Sequence, residues 1–250
     1  MSSSVTELRG ALERRWQGVV PHAIAPARPG RSSGIAELDA LLGPAGIPMG
    51  QLTEVFGARS SGKTTLAFAI LATCTQAGAL GAYIDPSGAF FAPAAAGAGI
   101  DMRRLIVVRA RGAAAARRAL DALVRGGACG VVALDCSELP GALQAHHCAR
   151  VAAQAEKTGT AIVIITEGRS MTPVASFASL RVHARGLAPL WQTGSDAGGR
   201  LAGCATSIEI VKSRAVAPGR GANIAAPLPD VAGTWPTAIA PALAPVLCAR

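Results

Sequence analysis

The chain reads as an α/β protein, with a mostly parallel sheet, helices on both of its faces and an antiparallel extension. Three observations predict this. Short apolar runs at residues 81–85, 105–108, 131–135 and 161–166 have the length and composition of strands buried on both faces. Helical stretches at 113–124 and 143–157 lie between them, the alternation that builds a parallel sheet. Beyond residue 180 the runs 180–184, 188–192 and 207–212 succeed one another across Gly-bearing turns with no helix between, which predicts antiparallel pairing.

Taken in order, residues 5–17 place Val5, Leu8, Leu12 and Trp16 at helical spacing, and a Pro- and Arg-bearing connector follows over 20–31. Such an arm docks back on its own core or on a neighbouring subunit. Residues 1–30 are therefore read as an oligomerisation arm. The stretch 32–42 (SSGIAELDALL) predicts a capped helix, and 43–50 (GPAGIPMG) is a turn-rich approach to the next strand. The core is expected to span 31–217. From 218 to 250 the chain is rich in Pro and Ala and reads as a tail or loosely docked strap.

Half of the 250 residues are hydrophobic but only 4% are aromatic, so the apolar character is largely Ala, Val and Leu. The uncharged run 64–84 is long enough to raise a membrane span. Its threonines, glutamine and glycines fit a buried helix leading into a buried strand better. The first 15 residues hold no apolar signal segment, so a cytoplasmic protein with no membrane role is expected. The charge is basic, 24 Lys+Arg against 15 Asp+Glu. That balance fits a nucleic-acid partner or an arginine-rich solvated surface. Only Lys63, Lys157 and Lys212 are lysines, so a retained lysine marks a place where a compact ammonium matters. The six cysteines form no C-x-x-C pair and read as small buried hydrophobes.

The richest stretch is 52–66, LTEVFGARSSGKTTL. It reads as a buried strand, a glycine-rich turn and a helix opening at Lys63. The turn fits G-x-x-x-x-G-K-[ST], the P-loop pattern, through Gly57, Gly62, Lys63 and Thr64. Glycine lets the backbone wrap closely around phosphates, and the helix N-terminus adds partial positive charge. Ser60, Ser61 and Thr65 complete the loop. Lys63 is suited to the β/γ-phosphates, and Thr64 offers a hydroxyl to Mg²⁺. Asp135 ends the apolar strand 131–135, where a carboxylate can organise the same metal shell. ATP with Mg²⁺ is the expected ligand.

Several separate motifs carry a family resemblance. The run 32–70, AYID at 82–85, VVALDCS at 131–137, AIVIITEGR at 161–169, FASLRV at 177–182 and IEIVKSRAVAP at 208–218 resemble the bacterial RecA recombinase in text and spacing. The resemblance covers residues 5–218. It implies a RecA-like P-loop NTPase core acting in DNA repair and recombination, with single-stranded DNA as partner. It implies self-association, or docking of a RecA- or polymerase-type repair partner, through the N-terminal arm. Lys212 and Arg214 match the basic pair that such proteins extend toward a neighbour's nucleotide. Arg169 is the one charge in the stretch 168–176, which matches the family's second DNA-binding loop; 137–141 matches the first.

Departures from that pattern bear on activity. Recombinases carry a catalytic Glu two residues after the Asp of AYID, and this chain has Ser87. A serine has no means of taking a proton from water at neutral pH without its own base. Phe91 and Ala94 replace an Asp and a Tyr that help hold adenine; Phe90 or Phe91 stacks on the base, or is plain core. Glu167 stands at the position of a γ-phosphate-sensing Gln and is a candidate displaced base. Both DNA-loop equivalents are short. These features resemble an ImuA-type accessory of translesion mutagenesis, with weak or no hydrolysis. The alternative is an active DNA-dependent ATPase recombinase that forms filaments on single-stranded DNA.

Overall fold

The computed structural model describes residues 30–168, 172–193 and 199–227. Among the described residues eight strands form one sheet in the order β3-β2-β4-β5-β1-β6-β7-β8. In chain order the elements are α1 (Ala36–Leu42), β1 (Leu52–Gly57), α2 (Lys63–Gln76), β2 (Leu80–Ile84), α3 (Ala92–Gly97), β3 (Leu105–Val108), α4 (Gly112–Gly126) and β4 (Cys129–Asp135). They continue with α5 (Ala145–Thr158), β5 (Ala161–Glu167), α6 (Pro173–Phe177), β6 (Leu180–Thr193), β7 (Gly199–Ser213) and β8 (Arg220–Pro227). The first six strands of the spatial order pair in parallel, while β6–β7 and β7–β8 are antiparallel. The expected fold class is the observed one.

Strand periodicity explains why helices cover both faces. Val131 and Ala133 of β4, with Val163 and Ile165 of β5, point into one core against α1, α2 and α3. Their chain neighbours Val132, Leu134, Ile162 and Ile164 point into the other, against α4, α5 and α6. With both faces buried, continuous apolar runs replace alternation. The outer helices are amphipathic in the expected way: α4 buries Ala116, Leu120 and Val124, and α5 buries Cys148, Val151 and Ala155. α2 is buried over most of its circumference, which accounts for the uncharged run 64–84. Among the described residues no helix is long and apolar enough to cross a membrane.

Three sequence expectations are corrected. Residues 180–184 and 188–192 are not separate strands but parts of β6, whose pairing with β7 shifts register between Gly186 and Ala188 and between Leu190 and Trp191. Gly186 flanks a bulge at Leu187 and Pro189 stays in register opposite Cys204, so neither is a chain reversal; a bulge absorbs a residue without ending the ladder. The helix expected over 32–42 begins at Ala36; the serines before it fold onto Asp39, which accepts from Ser33 N at 2.7 Å and from Ser32 Oγ at 2.5 Å. The core does not stop at 217, since β8 pairs along β7 and buries Ile224. The arm over 1–29 and the tail beyond 227 lie outside the described residues, as does Arg169.

Candidate nucleotide-binding site

Gly57, Asp135 and Glu167 end three adjacent parallel strands at the same edge of the sheet. Gly57 and Glu167 are register partners, and Asp135 sits opposite Ile165, two residues back along β5. Ligands of open α/β sheets bind outside such carboxyl ends. A cavity of about 460 Å³ opens there. Of the residues read as nucleotide contacts, Ser60, Ser61, Gly62, Lys63, Thr64, Thr65 and Asp135 line it, and so does Glu167.

The loop between β1 and α2 has no room to be other than it is. A Cβ on Gly57 would lie 2.0 Å from the Ala184 carbonyl oxygen, and one on Gly62, at φ +88°, would lie 2.8 Å from Thr206 Oγ1. Ser60 adopts φ +57°, a left-handed conformation uncommon for a residue with a side chain. Ser61 Oγ is buried without a hydrogen-bond partner, although a buried hydroxyl ordinarily has one. Lys63 is buried too, its Nζ donating to the Ala58 carbonyl. Burial holds its pKa below the usual lysine value, opposed by the charges of Glu167 and Asp135. An orphaned hydroxyl, a glycine cradle and a desolvated ammonium facing one hollow fit a phosphate chain.

Asp135 is oriented from both sides: Oδ2 accepts from the Tyr83 hydroxyl at 3.0 Å and Oδ1 from Ser137 N at 2.9 Å. Burial, with that carboxylate adjacent, pushes the Tyr83 pKa far above the usual phenol value, so Tyr83 is a fixed donor. Thr64 and Asp135, the two residues read from the sequence as Mg²⁺ contacts, both line the cavity. Asp85 is otherwise engaged. Its carboxylate accepts from Gly88 N at 2.8 Å, Ala89 N at 3.1 Å and Phe90 N at 3.0 Å, which folds the turn after β2. Ser87 lines the cavity and leans back onto Asp85 Oδ1 at 3.3 Å.

At the far end of the cavity, Phe90 packs edge-on against Phe68 and beside Tyr83, with ring centroids 5.7 and 5.2 Å apart. It is partly buried against the core, whereas Phe91 is 62% exposed. Ala94 and Phe68 line the hollow. The two short loops meet elsewhere: Leu139 and Pro140 face Thr172 and Pro173 across a hollow of about 220 Å³, beside Glu167.

Lys212 and Arg214 do not line the cavity of their own chain. Lys212 Nζ donates to the carbonyls of Ala175 and Ser176, at 2.9 and 3.1 Å, closing the end of α6. Several cavity residues were not assigned to the nucleotide from the sequence, four of them with polar or sulfur-bearing side chains. Cys204 and Thr206 come from β7, and only the long β6–β7 ribbon brings them to the loop. Arg59 and Glu138 form an ion pair at the cavity mouth. Arg59 sits inside the P-loop pattern, so its position was the one available signal.

Comparison with known proteins agrees with this geometry. The family model described as the RecA N-terminal domain matches residues 29–155. Protein RecA of Rubrobacter xylanophilus is 31% identical over 219 residues, covering 75% of this chain and 62% of that protein. Protein RecA of Deinococcus radiodurans is 30% identical over 226 residues, covering 78% and 61%. Protein RecA of Chloroherpeton thalassium is 36% identical over 104 residues, covering 42% and 29%. The chain thus spans about three fifths of the length of the first two relatives. The family-model match over half of the chain, with relatives about 30% identical over three quarters of it, places this chain in the RecA family.

Proposed function

We propose that the chain is an ATP-binding accessory of DNA repair and recombination, acting on or near single-stranded DNA with weak or no hydrolysis. One observation carries the reading: a cavity lined by the phosphate loop in which Ser87 stands where the family resemblance expects a catalytic Glu. Its neighbour Asp85 supplies no substitute base, because its carboxylate is committed to three backbone N–H groups and the Ser87 hydroxyl. Bound Mg²⁺ would neutralise phosphate charge between the Thr64 hydroxyl and the Asp135 carboxylate. Ser61 and the loop amides bind phosphate oxygens, and Lys63 places its ammonium on them. Lys212 and Arg214 reach a neighbouring subunit's nucleotide in this reading, and the arm over 1–30 carries self-association or a polymerase-type partner.

A second reading rests on Glu167, which lines the cavity directly beside the end of β1. There it serves as the base of a DNA-dependent ATPase. Steady-state ATP turnover with and without single-stranded DNA separates the two. The accessory reading expects slow turnover that rises in Ser87→Glu. Recombinase-level turnover by the unaltered chain, abolished by Lys63→Ala, overturns it; loss of that turnover in Glu167→Gln then supports the second.

A further inference from the structure

Arg59 is a cation inside the phosphate loop that neither the loop's fold nor the nucleotide reading above employs. Its side chain is 72% exposed, and its partner Glu138 is 54% exposed. Arg59 follows β1 and Glu138 follows β4, and the sheet order β4-β5-β1 puts the end of β5 between them. Arg59 therefore lies at the end of the cavity that holds Glu167 and Lys63, near enough for the charges of Arg59 and Glu167 both to act on the Lys63 ammonium.

We propose that Arg59 reads the terminal phosphate of ATP, leaving Glu138 to do so, and thereby makes the site discriminate ATP from ADP. This rests on the nucleotide-binding reading.

The charges facing the cavity argue for an exchange of partners. Two cations, Arg59 and Lys63, face three carboxylates, Asp135, Glu138 and Glu167. Lys63 is buried and tied to the Ala58 carbonyl, and Asp135 is held by Tyr83 and Ser137. Arg59 is the cation with freedom to move. A solvent-exposed ion pair contributes little, so exchanging its partner costs little. A guanidinium fork on phosphate oxygens makes charge-assisted hydrogen bonds, roughly twice as strong as neutral ones. A terminal phosphate at that end of the cavity outcompetes the Glu138 carboxylate. A nucleoside diphosphate presents no such group, and Arg59 stays with Glu138. Glu138 has the complementary part: it parks the arginine and sets how readily it is released.

The test is titration calorimetry on the full chain with Mg²⁺ and either ADP or a non-hydrolysable ATP analogue. Arg59→Ala is expected to weaken the ATP analogue about tenfold while changing ADP by less than about twofold. Glu138→Gln is expected to tighten the ATP analogue a few-fold, leaving ADP unchanged. Both side chains are exposed, so neither change disturbs the core. Equal weakening of both nucleotides by Arg59→Ala, no effect on either, or weaker ATP binding by Glu138→Gln overturns the proposal while nucleotide binding itself stands. An unaltered chain that binds neither nucleotide overturns the nucleotide reading and this one with it.

Discussion

Glu54 and Arg181 are register partners on the neighbouring parallel strands β1 and β6, and their side chains close a buried ion pair at 2.5 Å. The other Glu54 oxygen accepts from Thr166 Oγ1 at 2.8 Å and Thr172 Oγ1 at 2.9 Å. The guanidinium lies 4.4 Å from the centre of the Phe56 ring. Removing one partner of such a pair strands a buried charge. Glu54→Ala is expected to lower unfolding free energy by about 3–5 kcal/mol in urea titrations. The double variant Glu54→Leu/Arg181→Met should recover most of that loss, because no charge remains to be desolvated.

Lys63 gives a prediction with opposite signs for stability and binding. Its pKa is lowered in the fold by burial, so between that value and the ordinary lysine value the unfolded chain holds more protons, and stability rises with pH across that window. Below it, the buried charge weighs against folding. Lys63→Met should therefore raise the melting temperature at pH 7, flatten its rise toward pH 10, and abolish nucleotide binding. A lower melting temperature at pH 7 would show that the Ala58 contact outweighs desolvation.

Gly57→Ala tests the close approach of loop and ribbon. Its new methyl would meet the Ala184 carbonyl, a backbone atom with no rotamer to yield. The expected outcome is an early thermal transition together with loss of nucleotide binding. Gly141→Ala is the control, since a Cβ there meets nothing within 4 Å, although its φ of +74° also disfavours alanine. Equal melting temperatures for the two variants would reduce the first effect to backbone strain.

Truncation tests the contribution of β8. A chain ended after Pro227 keeps that strand and serves as the reference. Ending it after Ala217 removes β8, uncovers the edge of β7 and exposes the core around Ile224, a side chain worth about 1.5–3 kcal/mol when buried. Aggregation of the shorter form, followed by light scattering, is the expected companion of that freed edge.

The parallel half of the sheet was legible because its strands are short, apolar on both faces and separated by helices of clear periodicity. The phosphate loop was legible because Gly57, Gly62, Lys63 and Thr64 hold fixed spacing. The antiparallel half was read only as a class. Gly186 and Pro189 look like chain breaks, and that the ladder runs on past both is visible only in their pairing with Thr206 and Cys204 of β7. β8 is composed of Arg, Gly, Ala, Asn and Pro around one isoleucine, a pattern with no alternation to detect. The Arg59–Glu138 and Glu54–Arg181 pairs span 79 and 127 residues, so only the fold brings them together.

The cavity wall supplied by Thr206 has a consequence for how the chain would respond to ligand. A nucleotide gripped by Ser61 on one side and lying against Thr206 on the other touches two points of the backbone nearly 150 residues apart. It would act as a removable crosslink, restricting the chain as a disulfide does, but with a strength set by concentration. Among the described residues β8 is the strand that pairs with the outer edge of β7, so the protection should spread to it, making amide exchange over residues 220–227 slower when nucleotide is present.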